Sequence, residues 1–144
     1  MKRGFDKFRA FLRGHGLILT KTRELVFREI FSFASPHPNA YEIRDRLLKK
    51  GHRVSLATIY RTLNLLVRSG LVSSIDLGEN HSHFEPERTR TAHGHLICLS
   101  CGRVREFSHA DIREAIVKIG RAKGYRLDKF SIQVFGFCER CGKA

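Results

Sequence analysis

The sequence has no apolar run approaching the roughly 18 residues of a membrane-spanning helix, and its start, MKRGFDKF, lacks the apolar core of a secretory signal. A soluble, cytoplasmic protein is the expectation. Gly (12) and Pro (3) are too few for a disordered chain, and no internal repeat or low-complexity tract is visible. Acidic residues are scarce as well, 14 against 27 Lys and Arg, for a formal net charge of +13. The imbalance is uneven: residues 1–70 hold 15 basic and 5 acidic side chains, residues 71–144 hold 12 and 9. A positive field of this kind attracts phosphate and speeds encounter with it, so the first half points to nucleic acid.

Cysteine is confined to the last third of the chain, as Cys98/Cys101 and Cys138/Cys141. Two disulfides do not suit a reducing cytoplasm, and a thioredoxin-like centre needs only one C-x-x-C beside a βαβ unit. Each pair is followed by a glycine, Gly102 or Gly142, which lets the backbone turn tightly beneath an ion. The pattern predicts a closed four-cysteine zinc site that staples a small domain.

The stretch HGHLICLSCG, from His93 to Gly102, packs two kinds of metal ligand together. On an extended strand His93 and His95 share one face with Ile97, while Leu96 and Cys98 point to the other. Histidines and cysteines therefore serve two different sites, one on each side of a single strand.

Apolar spacing organises the rest. A first helix is expected over 5–13, carrying Phe5, Phe8 and Leu12, ended by Gly14 and Gly16. Thr20 can cap a second helix reaching Phe33, with Leu25, Val26, Ile30 and Phe33 as its buried stripe. Asn39 caps a third over 40–50, stopped by Gly51. Ser55 caps a fourth, with Ile59, Leu63 and Leu66 inward and Thr58, Tyr60, Arg61 and Asn64 on or near the outer side. After Gly70, the runs LVSSIDL and HSHFEP form a hairpin. Helices followed by a hairpin make a winged helix-turn-helix with the fourth helix as reader and the hairpin as wing.

The second half reads as strand 93–99, strand 103–107, helix 109–123 with Ile112, Ile116 and Ile119, and strand 130–137. Its last strand, FSIQVFGF, is apolar on both faces, which suggests burial against a second subunit as well as its own helix. The fold class is α+β: a winged-helix DNA-binding domain at 1–86, a hinge at 87–92, and an α/β dimerisation and metal-binding domain at 93–144 with a structural zinc.

With GLILTKTR, SLATIYRTLNLL, HGHLICLSCGRVREF and CERCG in order, the chain resembles the ferric uptake regulator family along almost its whole length. The resemblance implies a homodimeric, metal-responsive repressor that binds double-stranded DNA at a pseudo-palindromic, A·T-rich operator. It places structural Zn(II), one per subunit, on Cys98, Cys101, Cys138 and Cys141. It places a regulatory metal at the hinge on His37, Glu85, His93, His95 and Glu106, a mixed N/O set suited to Fe(II), Mn(II), Co(II) or Zn(II) and unsuited to Cu(I). Glu at both carboxylate positions resembles the iron-sensing branch, controlling iron uptake; peroxide sensors of the family typically carry Asp there, and many zinc sensors use a cysteine.

The resemblance also assigns base reading to Tyr60 and Arg61. Arg can give two hydrogen bonds to a guanine edge, and a Tyr ring packs on a thymine methyl. Ser55, Thr58, Lys21 and Arg23 are expected to contact phosphate. Two departures stand out. Ile18 occupies the position where many members carry a minor-groove lysine, and Ala92, Gly94, Arg113 and Phe130 stand where some members bind a third metal, so that site is expected to be absent. Alternatives remain open: a zinc-uptake or peroxide-stress regulator of the same family, His83 as an alternative or extra ligand from the same strand face as Glu85, a DNA-binding protein indifferent to metal, or a metal-dependent enzyme. The enzyme reading lacks an H-E-x-x-H and would draw its ligands from two separate halves.

Overall fold

The computed structural model describes residues 2–33, 37–76, 80–87, 94–108, 110–127 and 130–142. It divides into two compact units, Met1–Arg88 and Thr89–Ala144.

The first unit is built from helices whose starts are fixed by side-chain caps. Helix α1 runs Lys2–Gly14, three residues earlier than the apolar spacing alone indicated, and buries Phe8 and Leu12. Helix α2, Lys21–Phe31, begins where the Thr20 hydroxyl accepts the Arg23 amide. It stops short of Phe33 because the Ser32 hydroxyl donates back to the Glu29 carbonyl at 3.0 Å, occupying an acceptor of the last turn. Phe27 is the ring around which this end of the core packs: Phe5 meets it edge-on at 5.1 Å, and Phe8 and Phe31 stack at 5.8 and 4.5 Å. Glu29 is buried on the same helix and holds Arg46 and Lys50 at 2.5 and 2.6 Å, tying α2 to the next helix.

That helix, α3 (Ala40–Lys49), opens with a capping box. The Asn39 side chain accepts the Glu42 amide at 2.9 Å, and the Glu42 carboxylate accepts the Asn39 amide at 2.8 Å. Asn39 Nδ2 also donates to His81 Nε2 at 3.1 Å. Replacing Asn39 by Ala should therefore cost about 1–2 kcal/mol, read as a lower urea midpoint at unchanged slope.

Helix α4, Leu56–Arg68, is capped by Ser55 and buries Ile59, Thr62, Leu63 and Leu66. It leads through Gly70, at φ +66°, into strands β1 (Val72–Ile75) and β2 (His83–Pro86), which pair antiparallel from Val72↔Pro86 to Ile75↔His83. Three helices packed together with a two-stranded hairpin give the winged-helix arrangement expected from the spacing.

The second unit is a three-stranded mixed sheet with one helix. β3 (Gly94–Cys98) is central, antiparallel to β4 (Val104–Phe107) and parallel to β5 (Ile132–Gly136). The parallel pairing requires a crossover, and α5 (Ala110–Ala122) provides it. Leu127 packs so closely on Gly120 that an added Cβ would lie 2.7 Å from its Cγ, so a larger residue there would force Leu127 to move. Elsewhere the helix is poorly covered: Ile112 and Ile119 of the expected stripe are exposed, as are Leu96, Val134, Phe135 and Phe137 of the sheet and the residue after it. Among the described residues, no helix is long and apolar enough to cross a membrane.

Candidate metal centres

The four cysteines meet at one end of the second unit's sheet. β3 and β5 run side by side with Cys98 opposite Gly136, so both strands deliver their C-x-x-C segments to the same edge. Tight turns follow. Gly102, at φ +67°, donates its amide to the Cys98 carbonyl at 2.9 Å, and the amides of Cys141 and Gly142 both reach the Cys138 carbonyl at 2.8 Å. The four sulfur atoms all lie within 4.8 Å of one another. Cys101 Sγ and Cys138 Sγ are 3.8 Å apart, far beyond a disulfide and equal to the edge of a tetrahedron built on Zn–S bonds of about 2.3 Å. The donor set and its spacing fit zinc.

Electrostatics point the same way. The Cys138 amide donates to Cys98 Sγ at 3.4 Å, and this bond, followed by that from the Cys101 amide, lowers the Cys98 thiol to about 6. Hydrogen bonding, led by the Arg140 amide, also lowers Cys138. Cys141 is pushed up to about 11: the Ser100 side chain is its largest single influence and lowers it, but Cys101, Cys138 and desolvation together outweigh that. The sulfur atoms thus oppose one another's ionisation, Cys98 lowered and Cys141 raised, and a divalent cation among them would relieve that opposition.

The His and Glu positions form a pair in each unit. In the first unit, β2 is laced to the segment before α3: Phe84 donates its amide to the Pro38 carbonyl at 2.9 Å, Asn39 and His83 form a β-bridge, and His83 Nδ1 donates to the His37 carbonyl at 2.8 Å. That lacing brings buried His37 and half-buried Glu85 together, their ligand atoms within 4.8 Å. In the second unit His95 of β3 stands directly opposite Glu106 of β4, again with ligand atoms within 4.8 Å. His95 is almost fully buried and Glu106 is exposed. Strand alternation puts Cys98 on the other face of β3 from His95, so the cysteine cluster and the His95–Glu106 pair lie on opposite sides of one strand. His93 lies outside the described residues, as does most of the expected hinge.

Of the residues expected at DNA, Ser55 caps α4, with its hydroxyl 2.9 Å from that of Thr58. Arg61 is exposed. Tyr60 is only half exposed, because its ring leans edge-on to Phe84 of the hairpin at 6.4 Å, so the helix and wing share it. Lys21 is exposed, while the Arg23 guanidinium is held by the Ile18 carbonyl. Ile18 itself is 75% exposed, an apolar side chain at the surface. Strand alternation offers His83 as an alternative or extra ligand, but nothing local in the sequence signals its bond to the His37 carbonyl, 46 residues away.

The family model described as "Ferric uptake regulator family" matches residues 14–135. The chain is 34% identical over 137 residues to the ferric uptake regulation protein of Synechococcus elongatus, covering 94% of this chain and 93% of that one. It is 33% identical over 127 residues to the ferric uptake regulation protein of Escherichia coli K12, covering 88% and 85%. Among solved structures it is similar to the ferric uptake regulator of Pseudomonas aeruginosa with manganese, at 30% identity and a TM-score of 0.78, covering 89% of this chain and 95% of that one.

Proposed function

Because the chain belongs to the ferric uptake regulator family, whose members are dimeric, DNA-binding, metal-responsive transcriptional repressors rather than enzymes, we propose that it represses iron-uptake and iron-homeostasis genes in the cytoplasm when Fe(II) or Mn(II) loads a hinge site. The observation that carries this reading is that each compact unit presents one His and one Glu with ligand atoms within 4.8 Å: His37 with Glu85, and His95 with Glu106. Two ligands hold a divalent ion weakly, whereas four to six hold it well. An ion that takes both pairs, with His93, therefore favours the geometry in which the DNA-binding unit, 1–86, is fixed to the dimerisation unit, 93–144, through the hinge at 87–92. Metal and operator then favour the same state, and their binding is coupled.

Zinc at Cys98, Cys101, Cys138 and Cys141 holds the second unit together and takes no part in sensing. The apolar side chains left open on the sheet and α5, Phe135 and Ile119 among them, are covered by a second copy. The dimer offers two α4 helices to a pseudo-palindromic, A·T-rich site, with Arg61 and Tyr60 reading bases and Ser55, Thr58 and Lys21 holding phosphate. Arg23, already engaged by the Ile18 carbonyl, contributes charge near the backbone. Iron is favoured over zinc by the carboxylates at both Glu85 and Glu106 and by the lack of a cysteine outside the structural site.

The test is anaerobic operator binding by fluorescence anisotropy, using protein that retains its structural zinc, at buffered free Fe(II), Mn(II) or Zn(II). Activation by Fe(II) or Mn(II) at micromolar free metal is expected. Activation by zinc alone, at far lower free concentrations, makes the chain a zinc-uptake regulator. Binding that ignores metal defeats the switch altogether.

A further inference from the structure

We propose that His83 is a positioning residue for the regulatory metal, acting through His37. The inference rests on the reading of His37 and Glu85 as ligands and adds a residue that is not itself one. His37 is buried, and its carbonyl lies just before Pro38 in the segment that leads into α3. A buried carbonyl needs a donor, and here the donor is an imidazole: His83 Nδ1 stands 2.8 Å away. Since a carbonyl only accepts, Nδ1 carries the proton. The neighbouring carbonyl, that of Pro38, takes the Phe84 amide at 2.9 Å, so two consecutive carbonyls of the ligand loop are held by two consecutive residues of β2.

The geometry has a direct consequence for the ion. Glu85 lies on the same four-residue strand as His83. The bond from His83 therefore locks the backbone of one ligand to the strand that carries the other. His83 is itself buried, beside the His81 ring at 4.9 Å, so its imidazole has little freedom to swing away. Metal ligands held this way are pre-positioned and bind more tightly than ligands on a loose loop.

The experiment uses the full chain with its structural zinc in place and Co(II) as the probe, followed by visible absorption. His83→Phe keeps an aromatic ring but removes the donor; Co(II) affinity should fall about 10- to 100-fold and the absorption bands should shift. His83→Asn places an amide N–H near the Nδ1 position and should recover affinity to within a few-fold, which a merely bulky structural residue would not predict. Unchanged affinity and spectrum in His83→Phe overturn the proposal. So does an Asn variant as weak as the Phe variant, because the imidazole would then be a ligand in its own right. His37→Ala separates the two levels: if it binds Co(II) like the wild type, the metal reading falls and takes the proposal with it, whereas failure confined to His83→Phe leaves that reading standing.

Discussion

Stripping zinc from the reduced protein should unfold the second unit while the first stays folded. Amide-exchange protection would be lost across β3, β4 and β5 and kept in α2, α3 and α4, and the dimer would dissociate. The asymmetry follows from where the core is. Of the 17 buried apolar side chains among the described residues, only Ile97 and Cys98 belong to the second unit. A unit of that size with so little buried apolar surface lies near or below the limit of independent stability. Structural zinc contributes about 10–16 kcal/mol in small zinc-folded peptides, more than the whole net stability of most domains. Cys138→Ala should act like chelation, since it removes one sulfur and leaves the remaining thiols crowded without a closed shell. The first unit has Phe8, Phe27, Ile30, Ile43, Leu63 and Phe84 fully or almost fully buried and does not depend on the ion. Protection persisting in β3 of the zinc-free, reduced chain would overturn this account and assign the second unit's stability to its partner contact instead.

What the sequence made legible and what it hid follow one physical division. Features set by local chemistry could be read: the capping residues Thr20, Asn39 and Ser55, the inward stripe Ile59, Leu63 and Leu66, and the paired C-x-x-C segments whose tight turns need Gly102. The alternation that separates His95 from Cys98 is equally local, since it depends only on a strand having two faces. Features set by packing at a distance could not. Phe27, absent from the stripe read for α2, is fully buried because α1 lays Phe5 and Phe8 on it, which widens the buried face beyond one helical stripe. Ile112 and Ile119 look like core residues by spacing yet lie open within the chain, because the helix spacing cannot say which surface will cover it. Helical spacing puts Tyr60 on or near the outer side without showing its partner, the wing residue Phe84. The lacing of β2 to residues 37–39 is also a matter of tertiary contact, and without it His37 is only a histidine between two prolines.

Glu85→Ala and Glu106→Ala should each abolish most of the metal-induced gain in operator affinity, and the double variant should lose no more than either one. The two side chains belong to different units, so the prediction turns on their sharing one ion. Glu106 is exposed and Glu85 only half-buried, so neither removal should disturb the fold; zinc content and melting temperature are the controls. If loading metal raises operator affinity about 100-fold, the coupling is about 2.7 kcal/mol, and linkage requires that operator DNA raise metal affinity by the same factor. Titrating Mn(II) with and without operator duplex measures that factor from the other side. Wild type should show the two affinities about 100-fold apart, and each variant should show them nearly equal, while metal-free binding to the duplex stays at the wild-type level. Equal loss in single and double variants is the signature of groups acting as one unit. Losses that add, each variant retaining part of the gain, would mean that the two carboxylates serve different ions, and the switch would then need two metal-binding events where one shared ion is proposed.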